Sequence, residues 1–293
     1  MSRWPRIILL LALTVLLSGG KPTGPAVVEA QKAVPAMAAR PFEPSEQLFY
    51  EAEFSRSLLR KLDVADFKLS AARTTAIDPP KTSPEAPDPP PYLLTFSADI
   101  TSKGFFTRLF NLKFRERIES VVEPVTFTVQ KNNGLDEQGK RVRATEMTFD
   151  QSKGKMYWTQ RDPNNTASEP RTIITDFSGQ QLQDALSAIY FIRTHRLEVG
   201  KSFDIFVGNG GRIYRVPINV IEKKRMKTVL GKVHVVRVDP DLFGPDKLID
   251  DEKGQFQLWL TDDSRHVPVS VRVKTAYGTF DISLKRAVYN PQG

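Results

Sequence analysis

Apolar and polar positions alternate with a period of two along most of this chain. Leu48, Tyr50, Ala52 and Phe54 share one parity, against Phe49, Glu51 and Glu53 on the other. Ala65, Phe67 and Leu69 repeat the pattern, as do Tyr92, Leu94, Phe96, Ala98 and Ile100. Successive side chains of a strand point to opposite faces, so each run predicts a half-buried strand. The C-terminal part alternates most strongly. Phe256, Leu258 and Leu260 oppose Gln255, Gln257 and Trp259. Val267, Val269, Val271 and Val273 oppose Pro268, Ser270, Arg272 and Lys274, and Phe280, Ile282 and Leu284 follow a turn at Tyr277-Gly278. This is the signature of an antiparallel meander with one wet face. Upstream, Phe203, Ile205 and Val207 lead into a turn at Gly208-Asn209-Gly210-Gly211, and Tyr214, Val216, Ile218 and Val220 continue.

Two stretches depart from the alternation. Ser178 and Gln181 have the spacing of a capping box, and Leu182, Ala185, Leu186, Ile189 and Tyr190 then follow helical spacing. A second, short helix is predicted over residues 104–112, with Phe106, Leu109 and Phe110 on one side. Residues 79–91 hold seven prolines. Proline fixes φ and has no N–H to donate, so this stretch predicts a stiff excursion, not a central strand. With a dozen or more strands and one main helix, the expected fold is all-β. Its form would be an antiparallel curved sheet, either a sandwich or a half-open barrel.

The N-terminus reads as an address. Arg3 and Arg6 precede an apolar run over residues 7–17, which is signal-peptide length and short of the roughly 20 residues of a transmembrane helix. Cleavage is expected after Ala30, with Ala26 and Ala38 as alternatives. The expected organisation is a signal peptide over 1–30, a flexible spacer over 31–45, one β domain over 46–288 with a proline-rich loop at 78–91, and a tail at 289–293. The expected product is periplasmic or secreted, with no transmembrane span in the mature chain. Leu17-Ser18-Gly19-Gly20 has the shape of a bacterial lipobox, but Gly20 stands where a lipid-bearing Cys would be.

Composition narrows the chemistry. The 293 residues contain no Cys, which excludes disulfides, a thiolate nucleophile and Cys-ligated metal. Only three His are present. The formal charge is +8, with 42 basic and 34 acidic residues. The first thirty residues carry three basic residues and one acid, so export lowers the charge to about +6. No cofactor and no nucleic-acid partner are expected.

Several segments occur together in a recognisable order: Pro41-Phe42 through Leu48-Phe49-Tyr50, then Asp184-Ala185-Leu186-Ser187-Ala188-Ile189-Tyr190-Phe191-Ile192-Arg193, then Leu197-Glu198-Val199-Gly200. Gly231 to Val238 follows, then Leu258-Trp259-Leu260-Thr261-Asp262-Asp263 and Val267-Pro268-Val269. In this the chain resembles the bacterial exported family known as domain of unknown function 3108, over about residues 41–287. That family's usual Gly-rich second strand is here Ala65-Asp66-Phe67-Lys68-Leu69. The resemblance implies export and an all-β fold, with no established activity. More loosely, the expected architecture is similar to that of periplasmic lipoprotein carriers, which use a concave apolar face for acyl chains.

Candidate sites are few. Phe105, Phe106 and Phe110 form an aromatic cluster that could cap the core or cover a pocket. With Tyr190 and Trp259 they make up the expected ligand-binding set. Lys223, Lys224, Arg225 and Lys227 cluster near an expected hairpin tip, where they could meet an anionic lipid surface or simply protect an edge. Asp262, Asp263 and His266 could serve a hydrolase, but Asp and Ser also suit a hairpin turn here. Ser187 lacks a nucleophile elbow, and His195 sits at the end of the expected helix. His234 shares the parity of Val236 and Val238 and is expected in the core. The leading expectation is an exported envelope protein binding an apolar or lipid-like ligand, or an envelope partner. A hydrolase and a purely structural module are the alternatives.

Overall fold

The computed structural model describes residues 42, 45–75, 92–104, 107–108, 113–177 and 179–289. Among the described residues, the alternating segments form fifteen strands. The first eight are β1 (Gln47–Arg56), β2 (Leu59–Thr75), β3 (Tyr92–Ser102), β4 (Phe114–Val122), β5 (Val129–Gln138), β6 (Arg141–Asp150), β7 (Lys155–Arg161) and β8 (Arg171–Asp176). A two-residue strand, β9 (Leu182–Gln183), leads into the helix α1 (Ala185–Arg193). The rest are β10 (Ser202–Asn209), β11 (Arg212–Thr228), β12 (Gly231–Pro240), β13 (Gln255–Thr261), β14 (Pro268–Thr275) and β15 (Gly278–Val288). The expected signal segment, the expected spacer apart from Phe42 and Ser45, most of the 104–112 stretch and the proline-rich loop lie outside the described residues. Phe42 is buried in the core, which corrects the expectation of a flexible spacer at that position.

All fifteen strands belong to one sheet, ordered β8-β7-β6-β5-β4-β3-β2-β1-β15-β14-β13-β12-β11-β10-β9. The two halves of the chain meet where β1 pairs with β15, for example Ala52 opposite Ile282. Every pair is antiparallel except β9 with β10. A parallel pair needs a crossover, and α1 supplies it.

Alternation sets the curvature. On β4, Phe114, Glu116, Ile118, Ser120 and Val122 are buried, while Arg115, Arg117 and Glu119 face water. Leu48, Phe96, Ile118, Val238, Leu258 and Ile282 likewise point into one continuous core. Each fully buried side chain of this kind contributes roughly 1.5–3 kcal/mol. The sheet curls until its arms touch. Thr175 of β8 donates its hydroxyl to the Gly211 carbonyl at 2.7 Å. Gly211 accepts this closeness because a Cβ there would stand 2.7 Å from the side chain of Ile173. The strands at the two ends remain unpaired with each other, so the barrel is half open.

The helix begins later than the sequence suggested. Its N-cap is Asp184, whose carboxylate accepts from the amides of Leu186 and Ser187 at 2.8 and 3.1 Å. The Asp184 amide donates to the Ser187 hydroxyl at 2.9 Å, which completes a capping box. Gln181 instead donates to the Thr126 carbonyl, and Leu182 belongs to β9. Ser178 lies outside the described residues. His234 also corrects its expectation, because it is exposed. β12 pairs with β11 from Gly231 onward but with β13 only over Val235–Val238. His234 therefore sits on a two-stranded overhang beyond the core.

Candidate functional site

The concave face encloses a cavity of about 140 Å³. Its walls come from β1, β2, α1, β10, β11, β13, β14 and β15, together with residues 240–249. Leu69, Ala188, Ile192, Val207, Ile218, Leu258 and Ile282 form its deeper surface. Among its lining residues Tyr50 alone carries a polar side-chain atom, and that hydroxyl donates to the Pro268 carbonyl at 2.9 Å. Among the described residues, no charged side chain lines the cavity. Ala185, Ile189, Leu242, Leu248, Ile249, Phe256 and Val271 are only half-buried, so the rim is apolar as well.

Residues 241–254 form the outer wall. This segment carries Leu242, Phe243, Leu248 and Ile249 among acids, lysines, glycines and a proline. It is knitted by the Ile249 amide donating to the Leu242 carbonyl and the Gly244 amide donating to the Ile249 carbonyl, both at 2.9 Å. Lys247 pairs with Asp241 at 2.6 Å. Phe243 packs down onto Gly254, where a Cβ would stand 1.8 Å from its ring. Replacing Gly254 with alanine is therefore expected to displace Phe243 and cost about 1–3 kcal/mol by overpacking. Hydrogen exchange would read it: the Ile249 and Gly244 amides should lose protection before those of β13. Unchanged protection would refute the account.

The helix is fixed to the start of β1 and to the β13–β14 turn by a buried ion pair. Arg193 meets Glu46 with Nη1–Oε1 at 2.6 Å and Nη2–Oε2 at 2.9 Å, and its Nε donates to the Arg265 carbonyl at 3.1 Å. Burial alone would lower the guanidinium pKa, but Glu46 outweighs it and holds the group charged. At the other end of α1, Asp184 accepts from the Ser120 hydroxyl at 2.8 Å. Burial raises the Asp184 pKa against these hydrogen bonds.

Of the ligand-binding set expected from sequence, Tyr190 and Trp259 lie off the cavity wall. Phe105, Phe106 and Phe110 lie outside the described residues. Tyr190 stacks on Phe96 with centroids 3.9 Å apart, in the core beside the cavity and not on its wall. Trp259 faces away from Leu258 onto the outer side of the sheet, covered by Lys224 at 3.6 Å and Arg237 at 5.8 Å from the ring centroid. In the basic cluster, Lys223 pairs with Asp262 at 2.8 Å and Lys224 lies over Trp259. Arg225 and Lys227 are exposed.

The acid–histidine group forms the β13–β14 turn. Asp263 Oδ1 accepts from the Thr261 hydroxyl and from the amides of Arg265 and His266 at 2.7, 3.0 and 3.2 Å. His266 Nδ1 lies 2.9 Å from the Arg193 carbonyl, and Asp262 points to Lys223. Each side chain has a structural partner, and Asp263 does not face the His266 ring through these contacts. His195 stacks on Phe203 at 4.2 Å, and burial lowers its imidazole pKa. Ser187 is closed inside the capping box. Among the described residues, no helix is long and apolar enough to cross a membrane, and no cluster of three or more His, Asp or Glu is placed to hold a metal.

The signal that sequence reading missed was the apolar content of residues 241–254. Leu242-Phe243 and Leu248-Ile249 are too apolar for a free connection between strands and mark a segment that packs down. The family model for "Protein of unknown function (DUF3108)" matches residues 91–285. No curated protein matches the chain. Among solved structures, it is similar to the crystal structure of a beta-barrel-like protein of domain of unknown function DUF1849 from Brucella abortus. That likeness has a TM-score of 0.48 and 8% identity, and covers 87% of this chain and 100% of that one.

Proposed function

The chain belongs to the DUF3108 family of proteins of unknown function, and from that premise we propose that it binds an apolar, lipid-like group in its concave cavity. The proposed setting is the cell envelope, reached by export through the N-terminal signal segment. The observation that carries the reading is a cavity walled by apolar side chains, with its one polar side chain already hydrogen-bonded inside the protein. Such a space offers a ligand dispersion contacts and water exclusion, and no general base or oxyanion donor.

Size sharpens the ligand class. An apolar cavity of about 150 Å³ stays dry and takes a benzene-sized group, whereas drug-sized pockets begin near 300 Å³. At about 140 Å³ the cavity suits one small apolar moiety, such as the end of an acyl chain. A longer chain would need α1 and residues 241–254 to part.

A fluorescent fatty acid such as dansyl-undecanoic acid tests this. Saturable uptake with displacement by unlabelled fatty acid is expected. Replacing Ala188 with leucine pushes a larger side chain into the cavity from α1. The variant is expected to lose at least tenfold in affinity while its stability stays equal or rises, because filling an apolar void is favourable. A filled structural module would show no saturable uptake, and that result would sink the proposal. Native mass spectrometry of the protein from mild envelope extracts would identify the natural occupant.

A further inference from the structure

The β1–β2 hairpin ends in a two-residue turn, Ser57-Leu58. Leu58 is 98% exposed, more than any other large apolar side chain among the described residues. Ser57 and Lys61 both hold left-handed backbone, with φ of 47° and 53°. Residues other than glycine rarely adopt that conformation, and here it presents a leucine to solvent at the apex. Arg56, Arg60 and Lys61 surround it, all exposed. An apolar apex ringed by cations fits a surface with an apolar interior and an anionic skin.

Topology adds the position. β1, β14 and β12 run in the same direction through the sheet. The β1–β2 turn therefore lies at the same end as residues 241–254, where Leu248 and Ile249 form the cavity rim. We infer that the β1–β2 hairpin is a membrane-contact tip, which inserts Leu58 into an anionic phospholipid surface and presents the cavity end of the sheet to it. The inference deepens the lipid-binding reading by naming the source of the ligand, and it rests on that reading only for its purpose. The competing basic tip, β11–β12, carries exposed Val229 and Leu230 and lies at the opposite end of the sheet. One docked orientation cannot seat both.

Co-sedimentation of the mature chain with phosphatidylcholine vesicles, with and without phosphatidylglycerol, decides the matter. Binding is expected only with the anionic lipid, and it should weaken with added salt. Leu58→Glu is expected to lower the partition at least tenfold, since it removes the burial of one leucine. Arg60→Gln and Lys61→Gln should each lower it roughly fivefold. Leu230→Glu should leave it unchanged. All four positions are exposed, so unchanged melting temperatures would confirm intact folds. No vesicle binding would overturn the inference, as would an unaffected Leu58→Glu variant or a loss caused by Leu230→Glu instead. A dimer in solution that Leu58→Glu dissolves, without vesicle binding, would overturn it as well. Fatty-acid uptake measured without vesicles separates the two proposals, because it reports on the cavity alone.

Discussion

Replacing Arg193 with alanine is expected to lower the unfolding free energy by about 3–5 kcal/mol. The guanidinium and Glu46 are 1% and 0% exposed, and they meet through two parallel hydrogen bonds. Arg193 also lies over the rings of Phe42 and Tyr190, 5.5 and 5.2 Å from their centroids. Alanine leaves the Glu46 carboxylate buried with no countercharge, which costs far more than an exposed pair would. The loss also spreads. Glu46 joins β1 to β2 through its carbonyl, which accepts from the Ala71 amide at 3.0 Å, and His266 rests against the Arg193 carbonyl. Lysine should not rescue, since one ammonium cannot reproduce the fork that meets both carboxylate oxygens and the Arg265 carbonyl. Pairing Glu46→Gln with Arg193→Met should cost clearly less than the sum of the single changes, because neither charge is then stranded. Urea unfolding followed by tryptophan fluorescence would measure the wild type, each single variant and the double variant. A loss below about 1 kcal/mol for Arg193→Ala would show that the pair is dispensable.

How far such features could be read from sequence depends on their range. Alternation at Leu48, Tyr50, Ala52 and Phe54, or at Val267, Val269 and Val273, is local, and it identified strands and their inward faces. Local spacing also located a helix near Leu186 and Ile189. It misplaced the start because Asp184 and Ser187 form the capping box that Ser178 and Gln181 only resembled. Periodicity is silent on how a sheet coils. The cavity gathers Tyr50, Leu69, Ile192 and Leu258 from strands and a helix far apart in the chain, and Arg193 finds Glu46 across 147 positions. Parity also says which face a side chain takes, not what covers it. Trp259 faces outward as its parity requires, yet it is buried under Lys224 and Arg237. His234 follows the parity of Val236 and is exposed, because its strand outruns its neighbour.

The same parity rule places a carboxyl where few would stand, and its titration gives the second large effect. Glu116 is an inward position of β4, 3% exposed, directly opposite Asp136 of β5. Asp136 is itself buried and engaged by Arg141 at 2.7 Å and by the Gln138 amide at 3.0 and 3.1 Å. Glu116 Oε2 has no hydrogen-bond partner among the described residues. Burial first, and the neighbouring Asp136 second, push the Glu116 pKa up to about 8. The folded state therefore holds this proton over a range in which the unfolded chain, with its carboxyl near 4.5, has released it. Where the folded state binds more protons, stability falls as pH rises. The contribution is intact below about pH 4.5 and is lost progressively up to about pH 8. The expected fall is about 3–5 kcal/mol, from roughly 1.4 kcal/mol per unit of pKa difference. Asp184 is raised by burial too and acts in the same direction, so the wild-type curve alone does not isolate Glu116. The difference from Glu116→Gln does. Glutamine keeps the shape and cannot ionise, so the variant should lose less stability than wild type between pH 5 and pH 8.5. Its urea midpoint should cross above that of wild type at the alkaline end. Parallel pH profiles for the two proteins would mean that Glu116 ionises in the fold at no special cost, and that water or a cation reaches it from the small polar cavity it shares with Asn132, Thr145 and Asn209.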